Sequence, residues 1–339
     1  MDIKQVLFEL ASKNGVSGDE FSASEYAKTL LSEYLDSEVD AFGNVYGRPK
    51  FFDVEKKTIL LDAHIDEIGM IVTYITDEGF LKVSNCGGLD NRVLLSQQVD
   101  VLCKGGIIRG FVTSTPPHLE KDDTVVPVID DIFIDIGMSK SQAEAVVCLG
   151  DRVLIKNELI SLQGDVVTSN ALDDRAGVVA IIYALDLLKN KDTKYNVCAM
   201  FSSQEETGER GAKIGAYNIA PDMAIEVDVS FAMTAGDKPD KCGKLGKGPM
   251  IGVAPSLNRK MSDELINIAK ENEIPYQIEV MNGMTGTNAD VIGVTHNGVK
   301  TSTISVALKY MHTPVEVVSL ADIENTAKLI AKFCESEEA

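Results

Sequence analysis

Acidic and imidazole side chains stand at the ends of several apolar, strand-like runs in this sequence of 339 residues. One run ends at His64, and another ends just before the adjacent carboxylates of Glu205 and Glu206. A third ends at Asp228, and His312 lies just beyond a fourth. Ligand sites in α/β sheets gather at the carboxyl edge of the strands. The recurrence therefore predicts that these side chains share one site.

Imidazole and carboxylate groups without a thiolate suit zinc, cobalt or manganese in a catalytic site. Five ligands, one of them a shared carboxylate, would make two adjacent metal sites. Two metals about 3.5–4 Å apart can activate a water molecule and polarise a carbonyl, and a free glutamate beside that water can act as general base. Side-by-side carboxylates such as Glu205 and Glu206 also favour a cation or a retained proton.

Single residues of this set have ordinary structural explanations as well. His64 could cap a buried strand end, although Asp66 on the same face could fix its tautomer and leave the other nitrogen for a metal. Asp173 opens an apolar helix, where a carboxylate complements exposed amides. For His118, in a loop, and His296, in a helix predicted near Ala289–Asn297, we expect surface or core roles rather than metal binding.

The elements that must position these residues follow two patterns. Helix-like and strand-like segments alternate after residue 161, which is typical of an α/β fold whose mixed sheet is flanked by helices. Short β-prone runs separated by Gly, Pro and Asp lie between about residues 69 and 160 and predict an inserted small β-barrel-like domain. We therefore predict a catalytic domain of residues 1–67 and 161–339, interrupted by residues 68–160.

Composition excludes several classes of function. The formal net charge of −20 would repel phosphate backbones, so we expect no nucleic-acid partner. No run approaches the roughly 20 apolar residues that span a bilayer, so we expect no membrane partner. The first residues lack the basic start and apolar run of a secretory signal, and the six cysteines form no C-x-x-C pair. A cytoplasmic location with reduced thiols is expected.

Five short motifs resemble, in order and separation, those of the tetrahedral aminopeptidase and glutamyl aminopeptidase family of two-metal peptidases. Some members of that family carry an endoglucanase label. The resemblance runs nearly from end to end of the chain. The motifs are Ala-His64-Ile-Asp66-Glu-Ile-Gly, Ala-Leu-Asp173-Asp-Arg-Ala-Gly, Ser-Gln-Glu205-Glu206-Thr-Gly, Val-Asp228-Val-Ser and Tyr-Met-His312-Thr-Pro.

The resemblance implies a role for each metal ligand. Asp173 would be shared by two divalent metal ions, most readily zinc or cobalt, with manganese as a further candidate. His64 and Asp228 would complete one site, while Glu206 and His312 would complete the other. The implied function is removal of N-terminal residues from short peptides.

The resemblance also implies two catalytic residues and an assembly. Glu205 would be the general base, and Asp66 would orient His64. The peptide bond after Asp173 would be cis. The inserted domain would mediate subunit contacts in dimers that assemble into a tetrahedral dodecamer.

Two positions depart from the family pattern. Asn288 stands where the family has Asp, and Lys309 stands where it has Arg. Neither is an implied metal ligand, so the departures bear on substrate contacts rather than on hydrolysis.

Two other functions compete with the peptidase. A glycan hydrolase would need two carboxylates roughly 5–9.5 Å apart across a glycosidic bond and no metal. The histidines around Glu205 and Glu206 fit metals better. A catalytically inactive assembly protein is the other alternative, and the presence of every implied ligand and of the base argues against it.

Overall fold

The computed structural model describes residues 1–116, 118, 126–156 and 159–335. It contains eight α-helices among these residues, and none is long and apolar enough to cross a membrane. The helices are α1 (Ile3–Ala11), α2 (Phe21–Leu31), α3 (Lys140–Val146), α4 (Leu172–Leu188), α5 (Arg210–Ile219), α6 (Arg259–Glu271), α7 (Ala289–Ile292) and α8 (Leu320–Cys334).

The strands form one large sheet, one closed barrel and one small sheet. The large sheet contains β1 (Asp36–Val39), β2 (Val45–Arg48), β3 (Thr58–His64), β12 (Asn196–Ser202), β13 (Met223–Phe231), β14 (Met250–Val253), β15 (Gln277–Val280) and β16 (Lys300–Leu308). The barrel contains β4 (Gly69–Ile75), β5 (Leu81–Cys86), β6 (Gln98–Cys103), β7 (Gly106–Val112), β8 (Phe133–Asp135) and β9 (Arg152–Ile155). The small sheet contains β10 (Ile160–Ser161), β11 (Val166–Ser169) and β17 (Glu316–Ser319).

The large sheet has the strand order β1-β2-β12-β3-β13-β16-β14-β15. Strands β12, β3, β13 and β16 run parallel to one another, while antiparallel pairs lie on either side of them. The predicted mixed α/β sheet is therefore confirmed, and so is an inserted β-barrel. The barrel strands lie between Gly69 and Ile155, and the exact domain boundaries at residues 67 and 161 stay a prediction.

Helices cover both faces of the large sheet because its central strands are apolar on both sides. In β3, Ile59 and Leu61 belong to the core that contains α4 and α8, whereas Leu60 packs in the core on the opposite side with α5. Helix α4 is buried almost all around, since it packs on the sheet and against α1 and α8. The apolar run after Asp173 is thus a buried helix.

One predicted helix is wrong in length. The segment expected to be helical from Ala289 to Asn297 is helical only to Ile292. The chain then turns back through Gly298, which has a φ of 93°, and the amide of Val299 donates to the carbonyl of Gly293. Gly298 accepts this conformation without a Cβ clash. His296 lies in that turn rather than in a helix.

A buried ion pair ties α4 to the segments that precede the barrel. The Arg175 guanidinium lies 2.9 Å from Glu67 Oε1 and donates a hydrogen bond of 2.7 Å to the carbonyl of Leu10. Glu67 also accepts hydrogen bonds from the Gly15 amide and from Asn170 Nδ2. Both charged side chains are shielded from solvent, so each depends on the other for charge compensation.

We expect Glu67→Gln to destabilise the protein by about 3 kcal/mol, because it leaves the Arg175 charge buried without a counter-ion. The matched control is Asp263→Asn, which removes an exposed ion pair with Arg259 and should change stability by less than about 1 kcal/mol. The measurement is the urea midpoint of unfolding followed by circular dichroism. Equal midpoints for the two variants would contradict the assigned role of the pair.

Candidate metal centre

The parallel strands bring the predicted ligands to one edge of the sheet. His64 is the last residue of β3, and Asp228 lies near the carboxyl end of the neighbouring strand β13. Glu206 follows β12, and His312 follows β16. Asp173 enters the same space from the first turn of α4. The structure therefore places side chains from five separate segments at a single point.

His64, Asp173 and Asp228 form one group in which a ligand atom of each residue lies within 4.8 Å of the others. His64 Nε2 is 2.9 Å from Asp173 Oδ1 and 3.9 Å from Asp228 Oδ1. These three side chains are buried.

Asp173, Glu206 and His312 form a second group of the same kind. His312 Nε2 is 3.4 Å from Glu206 Oε1 and 3.5 Å from Asp173 Oδ2. Asp173 thus presents Oδ1 to one group and Oδ2 to the other. A carboxylate with one oxygen on each side is the arrangement that a ligand shared by two cations requires.

Glu205 lies beside both groups. A carboxylate oxygen of Glu205, a nitrogen of His64 and a carboxylate oxygen of Glu206 lie within 4.8 Å of one another. Burial raises the pKa of Glu205 to about 9, and the charges of Asp228 and Glu206 act in the same direction. These surroundings therefore favour the protonated, neutral form of the Glu205 carboxyl group.

Asp66 contacts more of the site than sequence reasoning suggested. His64 Nδ1 is 3.1 Å from the backbone carbonyl oxygen of Asp66 and 3.5 Å from its carboxylate. The carboxylate accepts the backbone amides of Glu205, at 2.9 Å, and Glu206, at 3.2 Å. Asp66 therefore touches the imidazole on one side and the segment with both glutamates on the other.

Glu316 is a site residue that sequence reasoning missed. Its carboxylate is buried and accepts the backbone amides of Asp173 and His312, each at 3.1 Å. Burial and the nearby charge of Asp173 raise its pKa well above the usual range. The only sequence signal was a glutamate within the apolar run Val315–Val318.

The backbone around Asp173 has an unusual conformation. The peptide bond between Asp173 and Asp174 is cis, as the resemblance implied. Ala171 has a φ of 56°, in the left-handed region that non-glycine residues rarely adopt. The hydrogen bond from the Asp173 amide to Glu316 fixes the backbone at the point from which the Asp173 side chain contacts both histidines.

The charges of the side chains in the site favour the binding of cations. Burial raises the pKa of Asp228 to about 7, while hydrogen bonds to Asp173 and Glu206 raise the pKa of His312 to about 11. Hydrogen bonds from the histidines lower the pKa of Asp173, although its burial acts in the opposite direction. The site thus gathers more carboxylates than cationic side chains, and divalent ions would balance them.

Further carboxylates lie beneath the site. Asp62, Asp174 and Glu226 are fully buried, and each has one oxygen without a hydrogen-bond partner among the described residues. Asn288 donates to Asp62 Oδ2 at 3.0 Å and to Ser202 Oγ at 2.8 Å. The family departure at Asn288 therefore lies in this buried layer. The Asn288 side chain is fully buried and offers no exposed surface to a substrate.

The two remaining histidines lie outside these groups. His118 is exposed. The ring of His296 stacks on Tyr217 with centroids 4.4 Å apart, and its Nε2 lies 2.7 Å from the carbonyl oxygen of Tyr217. Neither belongs to a potential metal-binding group among the described residues.

Comparison with known proteins relates the whole chain to one family. The family model described as M42 glutamyl aminopeptidase matches residues 43–329. A putative aminopeptidase of Acetivibrio thermocellus is 35% identical over 98% of both chains. The lysyl aminopeptidase of Pyrococcus furiosus is 32% identical, over 98% of this chain and 96% of its own.

A solved structure gives the same result. The TET1 peptidase of Pyrococcus horikoshii, described as able to assemble into a tetrahedron or a large octahedral shell, has a TM-score of 0.87. The two sequences are 35% identical, and the match covers 99% of this chain and 100% of the TET1 chain. Peptidases of this family are metal-dependent, which agrees with the clustered histidines and carboxylates. The chain therefore belongs to the M42 family of glutamyl aminopeptidases and is a peptidase.

Proposed function

We propose that this peptidase removes N-terminal residues from short peptides by a reaction that uses two divalent metal ions and Glu205 as general base. The observation that carries the proposal is the position of Asp173, with one carboxylate oxygen toward His64 and the other toward His312. His64 and Asp228 would hold one ion with Asp173. Glu206 and His312 would hold the second.

Bound at these residues, the ions would supply Lewis acidity, which lowers the pKa of water and polarises the scissile carbonyl. The imidazole and carboxylate ligands suit zinc or cobalt, with manganese as a further candidate. Positive charge beside Glu205 would also lower the pKa of its carboxyl group from the value of about 9 that burial favours. Glu205 could then accept a proton from water.

Glu205 is the group placed to move the proton. Its amide is held by Asp66, which also lies against His64, so the base and the first ligand are positioned by the same residue. We assign Glu205 to take a proton from the attacking water and to pass it to the leaving amine. Asp66 would act as a positioning residue rather than by contact with the substrate.

Removal of metal should abolish peptide hydrolysis. Treatment with a chelator is expected to abolish hydrolysis of aminoacyl-anilides, and zinc or cobalt should restore it, because the ions would supply the Lewis acidity that activates water and polarises the carbonyl. The same preparations should be assayed on cellulose. Cellulose hydrolysis that survives chelation would favour the glycan hydrolase.

Replacement of Glu205 by Gln should lower kcat by at least about 100-fold, since an amide cannot accept the proton. Metal content, measured by mass spectrometry of the desalted protein, should stay near two ions per chain. Glu271→Gln, on the exposed end of α6, is the matched control and should leave kcat unchanged. Undiminished turnover in Glu205→Gln would exclude Glu205 as the base.

The structure favours the peptidase over the other functions considered. Histidine nitrogens lie within 4 Å of Asp173, Glu206 and Asp228, a set that a metal-independent pair of glycosidase carboxylates does not require. An inactive assembly protein would have no need to keep a half-buried Glu205 beside these ligands. Neither alternative accounts for the shared position of Asp173.

We further propose a homo-oligomer that works in the cytoplasm and assembles through the barrel domain of residues 68–160. Large apolar side chains are exposed on the barrel at Tyr74, Ile107 and Phe111. The related TET1 peptidase of Pyrococcus horikoshii assembles into a tetrahedron or an octahedral shell. Enclosure of the sites in such a shell would restrict substrates to short or unfolded peptides.

Light scattering coupled to gel filtration tests the assembly. A mass of about twelve chains is expected, since subunit contacts would bury the exposed apolar side chains of the barrel. Phe111→Glu should reduce that mass by placing a charge in the contact. A wild-type protein that elutes as a monomer would contradict the proposal.

A further inference from the structure

The loop of residues 203–206, called the carboxylate loop below, joins β12 to the segment before α5 and carries both Glu205 and Glu206. All four of its backbone amides donate to side chains from other parts of the chain. The hydrogen bonds run from Ser203 to Asn44 Oδ1 (2.9 Å), from Gln204 to Glu20 Oε1 (3.3 Å), from Glu205 to Asp66 Oδ1 (2.9 Å) and from Glu206 to Asp66 Oδ2 (3.2 Å).

The backbone of the carboxylate loop contains one residue in an unfavourable conformation. Gln204 has a φ of 53°, in the left-handed region that non-glycine residues rarely occupy. This residue directly precedes the proposed base, so its conformation sets the direction in which the Glu205 side chain leaves the loop. The partner of the Gln204 amide is Glu20, which lies 184 positions away in the sequence.

Glu20 has no evident role in its own helix. It occupies the N-cap position of α2, but its side chain makes no capping hydrogen bond there. Its carboxylate is buried, and Oε1 accepts the amide of Gly18 at 2.6 Å in addition to that of Gln204. A buried carboxylate loses solvation, so its position calls for compensating amide donors.

We propose that Glu20 is a positioning residue for catalysis: it holds Gln204 in its left-handed conformation and thereby places Glu205 and Glu206. The inference rests on the proposed function of those two glutamates. Asn44 anchors the start of the carboxylate loop and Asp66 anchors its end. Glu20 anchors the one residue of the loop whose backbone conformation is unfavourable.

If Glu20 positions the carboxylate loop, the length of its side chain should matter more for catalysis than its charge. Glu20→Gln keeps the length of the side chain and an oxygen acceptor for the Gln204 amide. Glu20→Asp keeps the charge but withdraws the carboxylate by one methylene. Both are small changes, which leave the apolar contacts of α2 in place.

The test compares these two variants by steady-state kinetics with an aminoacyl-anilide in the presence of zinc. Glu20→Asp should lower kcat by about 10- to 100-fold, because a displaced general base loses its alignment. KM should stay within about twofold. Glu20→Gln should keep kcat within about threefold. Its amide oxygen can accept a hydrogen bond from the Gln204 amide at the same position, although a neutral acceptor forms a weaker bond than a carboxylate.

Hydrogen–deuterium exchange of the peptide that spans residues 203–206 supplies a readout independent of activity. Exchange there should be about tenfold faster in Glu20→Asp than in the wild type, and near the wild-type rate in Glu20→Gln. Glu33→Ala, an exposed position beyond α2, is the control and should change neither kcat nor exchange.

The inference is overturned if Glu20→Asp retains full kcat, or if Glu20→Gln loses more activity than Glu20→Asp. It is also overturned if hydrogen–deuterium exchange in the carboxylate loop of Glu20→Asp equals that of the wild type. Failure of the proposed function has a different signature. A wild type that hydrolyses no aminoacyl-anilide would refute the peptidase mechanism, while the exchange measurement would still decide whether Glu20 holds the loop.

Discussion

The structure depends on the burial of many carboxylates at the carboxyl ends of the parallel strands in the large sheet. Asp173 faces His64 with one oxygen and His312 with the other, while Glu205, Glu206 and Asp228 lie around it. Negative charge gathered in this way is unfavourable in a protein interior unless cations neutralise it. The proposed pair of metal ions is the simplest source of that neutralisation, and it explains why the acids converge.

The positioning of these groups relies on backbone hydrogen bonds as much as on the ligands. Glu316 accepts the amides of Asp173 and His312, and Asp66 accepts the amides of both glutamates in the carboxylate loop. Asp173 and His312 are thus fixed through Glu316, and Glu206 is fixed through Asp66, by buried acceptors. Such supporting contacts keep a catalytic constellation within the narrow tolerance that reaction requires.

Sequence reasoning located the main elements because their signals are local. The apolar run that ends at His64 is a buried strand, and the alternation of elements after residue 161 is a helix-covered sheet. Glu20 and Glu316 escaped notice because each accepts an amide that lies far away in the chain, Gln204 for Glu20 and Asp173 for Glu316, and local patterns do not reveal such contacts. The helix predicted to reach Asn297 ends at Ile292, and the chain after it forms a turn that the apolar spacing did not reveal.

Anomalous X-ray diffraction from crystals grown with zinc tests the central claim most directly. Data collected on either side of the zinc absorption edge should show two peaks, one between His64 and Asp228 and the other between Glu206 and His312. Each peak should contact a different oxygen of Asp173. A single peak, or peaks that leave Asp173 uncoordinated, would contradict the account.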